Sequence, residues 1–199
     1  MNDEIINNLE IRKLSKEDDL EKVAELIYRS DNYIYPYLFE NDLNTAKKVL
    51  KNMILSDTIY NYKNIRIAIS SGQIIAMIVL KTVPIKINAD VMLDCFINAG
   101  VSVGTRFAKV FNEYFKLLED ELPDIYVANI AVDKMFRNLG VGRVLFSSIL
   151  DDKYTYHLEV VKDNTLALSL YKKLGFEIQY EYPGFTSVPC YRMERKNKW

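Results

Sequence analysis

The stretch Asn129–Phe146, NIAVDKMFRNLGVGRVLF, decides how this chain is read. It continues the apolar run Asp124–Asp133, DIYVANIAVD, which predicts a buried strand of about four to eight residues. A short loop follows, and then Arg137-x-x-Gly140-x-Gly142 opens a helix with Val141, Val144, Leu145 and Ile149 on one face, broken at Asp151. Amide groups at a helix start point outward with partial positive charge, and glycines let an anion approach with no Cβ in the way. The pattern suits a diphosphate. Three or four charge-assisted bonds of about 1.5–3 kcal/mol each, with Arg137 or Arg143 nearby, would hold one firmly. A P-loop needs Lys-Ser/Thr where Arg143-Val144 stands, and a dinucleotide fingerprint needs a third small residue at Leu145. Both designs fail, which leaves either an anion cradle or a plain tight turn.

A second run, Leu158–Ile178, LEVVKDNTLALSLYKKLGFEI, stands in order behind the first. It predicts a strand over Tyr154–Val161 and a helix over Asn164–Leu174, with Asn164 as N-cap and Gly175 as C-cap. Leu166, Ala167, Leu170, Tyr171 and Leu174 form its apolar stripe. Working outward, the N-terminal half reads as a strand over Leu9–Leu14, a helix over Glu17–Arg29 started from Ser15, and a helix over Leu43–Ser56. Between those helices, Asp31–Asp42 is aromatic-rich and interrupted by Pro36, so a loop is expected. Ile65–Ile69 and Ile74–Leu80 flank the turn Ser70–Gln73 as a hairpin. Asn88–Leu122 has helical spacing and reads as two helices interrupted at Gly100 and Gly104, and Pro123 ends it. Phe176–Tyr182 and Cys190–Arg195 close the chain as two strands. The expected fold is one α/β domain over residues 1–199, with a helical insert at about 88–122.

Composition narrows the chemistry. The 199 residues are 49% hydrophobic and 27% charged, the balance of a compact domain, and 26 basic against 27 acidic residues give no field that would attract nucleic acid. A single histidine, His157, leaves no pair for a two-histidine metal site, and Cys95 and Cys190 form no C-x-x-C pair. No metal is expected, and two reduced thiols fit a cytoplasmic protein better than a disulfide does. Met1–Arg12 has no apolar run of signal length, and the longest apolar stretch, Ile74–Leu80, is far too short to span a bilayer.

Taken together, the two runs resemble the GCN5-related N-acetyltransferase (GNAT) superfamily. Its acyl-CoA signature is matched by Arg137-x-x-Gly140-x-Gly142 after Val132-Asp133, and its following helix by Asn164-x-x-Ala167-x-x-x-Tyr171 with Gly175-Phe176. The clear match covers Tyr126–Ile178. The resemblance implies a single mixed, mostly antiparallel sheet, splayed between its central strands and flanked by helices. It implies acetyl transfer from acetyl-CoA to a primary amine, of a small molecule or a peptide N-terminus, by direct attack in a ternary complex. In that reading Arg137, Asn138, Leu139, Gly140, Val141, Gly142 and Arg143 cradle the diphosphate. Ile130, Ala131 and Val132 pair with the pantetheine arm, and Asn164, Ala167 and Tyr171 belong to the same coenzyme site. An N–H near Val132 would meet the thioester oxygen, where attack builds negative charge.

Aminolysis of a thioester also needs proton transfers, because an ammonium must lose a proton before it attacks and the departing thiolate gains from a donor. The resemblance puts Tyr171 at the donor position and makes Glu159 the first choice of base. Taken alone, Tyr171 reads as one of 14 tyrosines in a core and Glu159 as a strand residue in a structural hydrogen bond. His157, on the same side of the strand as Glu159, is a second base or relay candidate or a residue simply accommodated there. Asp94 and Glu113 are further acids, and a covalent route through Cys95 or Cys190 lacks an activating partner. Tyr33, Tyr35, Tyr37 and Phe39, with Glu40 and Asp42 behind them, read either as packing over the sheet edge or as the acceptor side. The 88–122 insert either reshapes the acceptor pocket or forms a homodimer contact. A side chain at 142 is expected to meet the diphosphate. The alternative function is a non-catalytic acyl-CoA-binding sensor on the same fold, and a nucleotide-binding regulator is weaker still.

Overall fold

The computed structural model describes residues 2–82, 97, 99–118 and 124–198. The order is α1 (Asn2–Asn7), β1 (Glu10–Lys13), α2 (Leu20–Tyr28), α3 (Ile34–Phe39), α4 (Leu43–Leu55), β2 (Ile65–Ser70), β3 (Gln73–Thr82) and α5 (Val101–Leu118). It continues with β4 (Ile125–Val132), α6 (Val141–Ser147), β5 (Tyr156–Val161), α7 (Thr165–Lys173), β6 (Glu177–Pro183) and β7 (Pro189–Arg195). The strands form one sheet in the order β1-β2-β3-β4-β5-β7-β6. All its pairs are antiparallel except β4 with β5, as the sheet class read from the sequence requires.

Alternation along the strands sends side chains to two cores. On one face Ile65, Ile67, Met77, Val79 and Ala131 pack against α2, α3, α4 and α5; on the other Ala68, Ile78, Val127 and Leu158 pack against α6 and α7. Side-chain caps or a glycine mark the starts of α2, α4, α6 and α7. Asp19 caps α2 by accepting from Lys22 N at 2.9 Å, so that helix begins at Leu20 rather than at Glu17, and Ser15 is not its cap.

Several other boundaries differ from expectation for physical reasons. Asp31–Asp42 contains α3, because Pro36 lies in the first helical turn, where its missing N–H would have had no partner anyway. Gly104 sits inside α5 rather than breaking it, with its amide bonded to Gly100 O at 3.1 Å. The helix expected from Arg137 starts at Val141, after a 3₁₀ turn over Lys134–Phe136, and α1 had no strong sequence signal. Leu166, assigned to the apolar stripe of α7, is 75% exposed. The first of the two helices expected at 88–122 falls outside the described residues, as do Asp94 and Cys95.

Candidate active site

The sheet opens where β4 leaves β5. Along β3, β4 pairs from Thr82↔Ile125 to Ala76↔Val132, but with β5 it pairs only at Ile125↔Tyr156, Tyr126↔His157 and Val127↔Leu158. The break coincides with a register shift that skips Ala128, since Leu80 pairs with Val127 and Val79 with Asn129. An extra residue of this kind bends a strand and ends its pairing. Beyond it, Ala128–Val132 and Glu159–Val161 line opposite walls of a cavity of about 1000 Å³, at the upper end for a ligand pocket.

Ladder alternation shows which backbone groups face that gap. Asp133 N–H donates to Ile75 O at 2.8 Å, so Ala131, two residues back, is on the β3-bonded side. Ile130 and Val132 therefore turn their peptide groups towards the β5 side. Arg137 Nε reaches Val132 O at 3.1 Å and ties the loop to the end of this strand.

The loop that follows is built around conformations suited to glycine. Asp133 accepts from Met135 N at 3.0 Å and pairs with Lys22 of α2, which holds its carboxyl below the usual range. Asn138 has φ 63° and Gly140 φ 86°, both left-handed, and Gly140 is the N-cap of α6. Val144 N–H donates to Gly140 O at 3.1 Å, so the amides ahead of it, at 141–143, have no acceptor within the helix. Arg137, Asn138, Gly140, Val141, Gly142 and Arg143 all line the cavity, and Leu139 packs under the loop.

Gly142 also has a packing reason of its own. A Cβ there would lie 3.3 Å from Val132 Cγ2 and 3.9 Å from Leu170 Cδ2, so glycine lets α6 approach β4 and α7. Gly142→Leu should therefore cost about 1–3 kcal/mol by overpacking, lowering the thermal midpoint before any coenzyme is added. An apo midpoint equal to wild type would show that this packing is unimportant.

Helix α7 carries Tyr171 to the cavity wall. Asn164 caps it through Ala167 N at 3.2 Å, and the helix ends with Gly175 N to Lys172 O at 3.1 Å and Phe176 N to Tyr171 O at 3.0 Å, with Gly175 at φ 88°. That closure sets the Tyr171 ring against Phe146 at 5.8 Å and Phe176 at 6.0 Å between centroids. Burial pushes the phenol above its usual pKa, so it keeps its proton throughout the physiological range.

On β5, Glu159 lines the cavity and accepts a hydrogen bond from Tyr182 of β6. Burial, and then the Glu159 charge, keep the Tyr182 phenol protonated. Sequence reasoning missed Tyr182, which is 23 positions from Glu159 and meets it only across β7. Cys190 also lines the cavity, but burial and the charges of Glu159, Asp31 and Asp163 push its thiol up to about 11, opposite to what a nucleophile needs.

Of the two readings of His157, the structure shows the accommodated one. The residue is 1% exposed, does not line the cavity, and stacks on Tyr126 at 5.0 Å with 24° between ring planes. Among the described residues neither of its nitrogens has a hydrogen-bond partner. Burial, and then the Arg192 charge, depress its pKa to about 3, so it serves as neither base nor relay. Between about pH 6.5 and 3 the unfolded chain binds one more proton than the folded one at this ring, so stability falls as pH falls, by at most about 1.4 kcal/mol per pH unit. The drop in thermal midpoint from pH 7 to pH 5 should shrink in His157→Phe; an unchanged drop would assign acid sensitivity elsewhere.

The aromatic segment does reach the site. Tyr33, Tyr35 and Phe39 line the cavity, while Tyr37 packs on Phe185 with centroids 5.1 Å apart. Two acids behind them have structural tasks: Glu40 pairs with Arg106 of α5, and Asp42 caps α4 through Asn44 N at 2.9 Å. Phe107 and Val110 of α5 join the wall, so the described part of the insert shapes the cavity. The Glu113 side chain lies outside the described set. Among the described residues no group of three or more His, Cys, Asp or Glu could hold a metal, and no helix is long and apolar enough to cross a membrane.

The site is thus a splayed sheet with outward amides at a glycine loop beside the gap. Residues 95–178 match the family described as "Acetyltransferase (GNAT) domain". The [ribosomal protein bS18]-alanine N-acetyltransferase of Salmonella typhimurium is 36% identical over 67 residues, 31% of this chain and 45% of that enzyme. An uncharacterized protein of Mycobacterium leprae is 37% identical over 75 residues, 35% of this chain and 21% of that protein. The chain thus spans less than half the length of the curated relatives it matches. An N-acetyltransferase structure from Staphylococcus aureus shares the fold at TM-score 0.62 and 18% identity, covering 93% of this chain and 99% of that one. Arabidopsis thaliana Naa50 in complex with the bisubstrate analogue CoA-Ac-MVNAL does so at TM-score 0.56 and 14% identity, covering 95% and 99%.

Proposed function

We propose that the protein transfers the acetyl group of acetyl-CoA to a primary amine by direct attack, with both substrates bound in the one cavity. The observation that carries this reading is a convergence: the turned-out peptide groups of Ile130 and Val132, the amides at 141–143 and Tyr171 all face the same space. The loop amides with Arg137 and Arg143 bind the diphosphate, and Ile130 and Val132 bind the pantetheine arm as an added strand would. Val132 N–H supports the thioester oxygen as charge develops there. The Salmonella relative is an alanine N-acetyltransferase, and the Naa50 structure holds a CoA–peptide conjugate, which supports an amine acceptor in this gap.

Glu159 takes a proton from the bound ammonium, and Tyr182 orients that carboxylate. As the C–N bond forms and the C–S bond breaks, Tyr171 donates a hydrogen bond to the departing sulfur. Its raised pKa makes it a weaker acid than a thiol, so it supports the thiolate rather than losing its own proton outright. The second proton released at nitrogen converts thiolate to thiol. Calorimetric titration with acetyl-CoA, followed by thiol release with a panel of amines, tests the reading. Binding and turnover are expected; binding with no turnover for any amine would instead mark a non-catalytic acyl-CoA-binding domain, and no binding would remove both.

A further inference from the structure

The end of the cavity away from the glycine loop has an unusual division of polarity. Its wall there is carbon: Leu38, Phe39, Leu50, Met53, Phe107 and Val110, contributed by three helices. On the same cavity wall the hydroxyls of Tyr35 and Tyr60 are 2.6 Å apart and bonded to each other. A second ammonium or a sugar hydroxyl entering this chamber would lose water without gaining a partner.

At its edge stands Asp31. Oδ1 accepts from Tyr33 N at 2.7 Å and Ile34 N at 2.5 Å, and among the described residues no hydrogen bond is made to Oδ2. Burial raises this carboxyl above its usual range despite the two amides, and the neighbouring cation, Arg29, is bonded to Glu25 at 2.7 Å. The Asp31 charge acts on Tyr35 and Tyr60 on one side and on Cys190, next to Glu159, on the other. Asp31 lines the same cavity as Phe107 and Val110 and as Glu159 and Tyr171. An arriving ammonium would return the carboxylate to its ionised form and satisfy its open oxygen.

We propose that the preferred acceptor is an amine attached to a single apolar group of about aromatic size, with its ammonium anchored by Asp31 and that group in the chamber lined by Phe107 and Val110. This deepens the acetyltransferase reading and rests on it. The shared chemistry occurs both in small arylalkylamines and at peptide N-termini that begin with a large apolar residue.

The test compares kcat/KM for 2-phenylethylamine, a Phe-initiated tetrapeptide, a Gly-initiated tetrapeptide and spermidine, with acetyl-CoA binding measured separately. At least one of the first two should exceed both of the others by about 10–100-fold, and which of the two leads identifies the source. Asp31→Asn keeps an oxygen for the two amides, as asparagine does at helix caps, so the loop is preserved. It should raise KM for that best amine about tenfold or more while kcat and acetyl-CoA affinity stay near wild type. Spermidine or the Gly peptide leading the series, or an unchanged KM in Asp31→Asn, would overturn the inference and leave the acetyltransferase reading standing. No turnover with any amine would overturn both.

Discussion

Tyr171→Phe is expected to lower kcat by about 10–100-fold while the acetyl-CoA dissociation constant stays within about twofold of wild type. The ring remains packed against Phe146 and Phe176, so α7 and the loop before it keep their positions. What is lost is one hydrogen bond to a sulfur that is nearly neutral in the thioester and negative as it departs, so the effect falls on the chemical step and not on binding. A hydrogen bond to a charged atom contributes about 1.5–3 kcal/mol, which sets the range. Single-turnover kinetics beside calorimetry separates the two quantities. Equal kcat in the variant would assign thiolate support to solvent or another group, and a large loss of affinity would mean that the phenol holds the ground state.

The second large effect is on stability. Phe146 of α6 is fully buried and meets Phe176 edge-on, with centroids 5.5 Å apart and 78° between planes, as well as Tyr171. Phe146→Ala should cost about 3–5 kcal/mol, because the ring's transfer energy is lost and a void remains that three separate elements cannot close together. For a chain of this size that lowers the thermal midpoint by on the order of 10 °C. The surviving folded fraction should also show a reduced kcat, since the void frees the Tyr171 ring. A small shift, within about 1 kcal/mol, would mean that the neighbouring helices collapse readily onto the site.

The parts of the fold that were legible in the sequence are those fixed by local rules. The left-handed turn at Gly140, the cap at Asn164 and the closing turn at Gly175 each depend on one or two residues and their near neighbours, so the strand–loop–helix units around them could be read directly. The break between β4 and β5 was expected from family resemblance only, because a skipped residue such as Ala128 has no mark in an apolar run. Pro36 misled for a specific reason: the same residue breaks a helix in its middle and is harmless in its first turn, and only the position of the helix start decides. The site itself was half visible. Tyr171 and Glu159 were named from family resemblance and both line the cavity, while Asp31, Tyr182 and the lining from α5 depend on contacts between distant segments. His157 shows the opposite limit, since strand period places it on the Glu159 side but depth, which separates them, has no period.

The skipped residue in β4 has a further consequence. Side chains on a strand alternate, so one surplus position shifts the phase of everything after it: Val127 faces the core of α6 and α7, whereas Ala128 and Asn129 both lean towards α2, where Asn129 reaches Ser30 Oγ at 2.7 Å. Removing Ala128 would leave Ile130 and Val132 on their present faces, because β3 pairs the strand in unbroken order from Val79↔Asn129 onward. The surplus residue therefore redirects the strand's course while the identity of the slot's rim is unchanged.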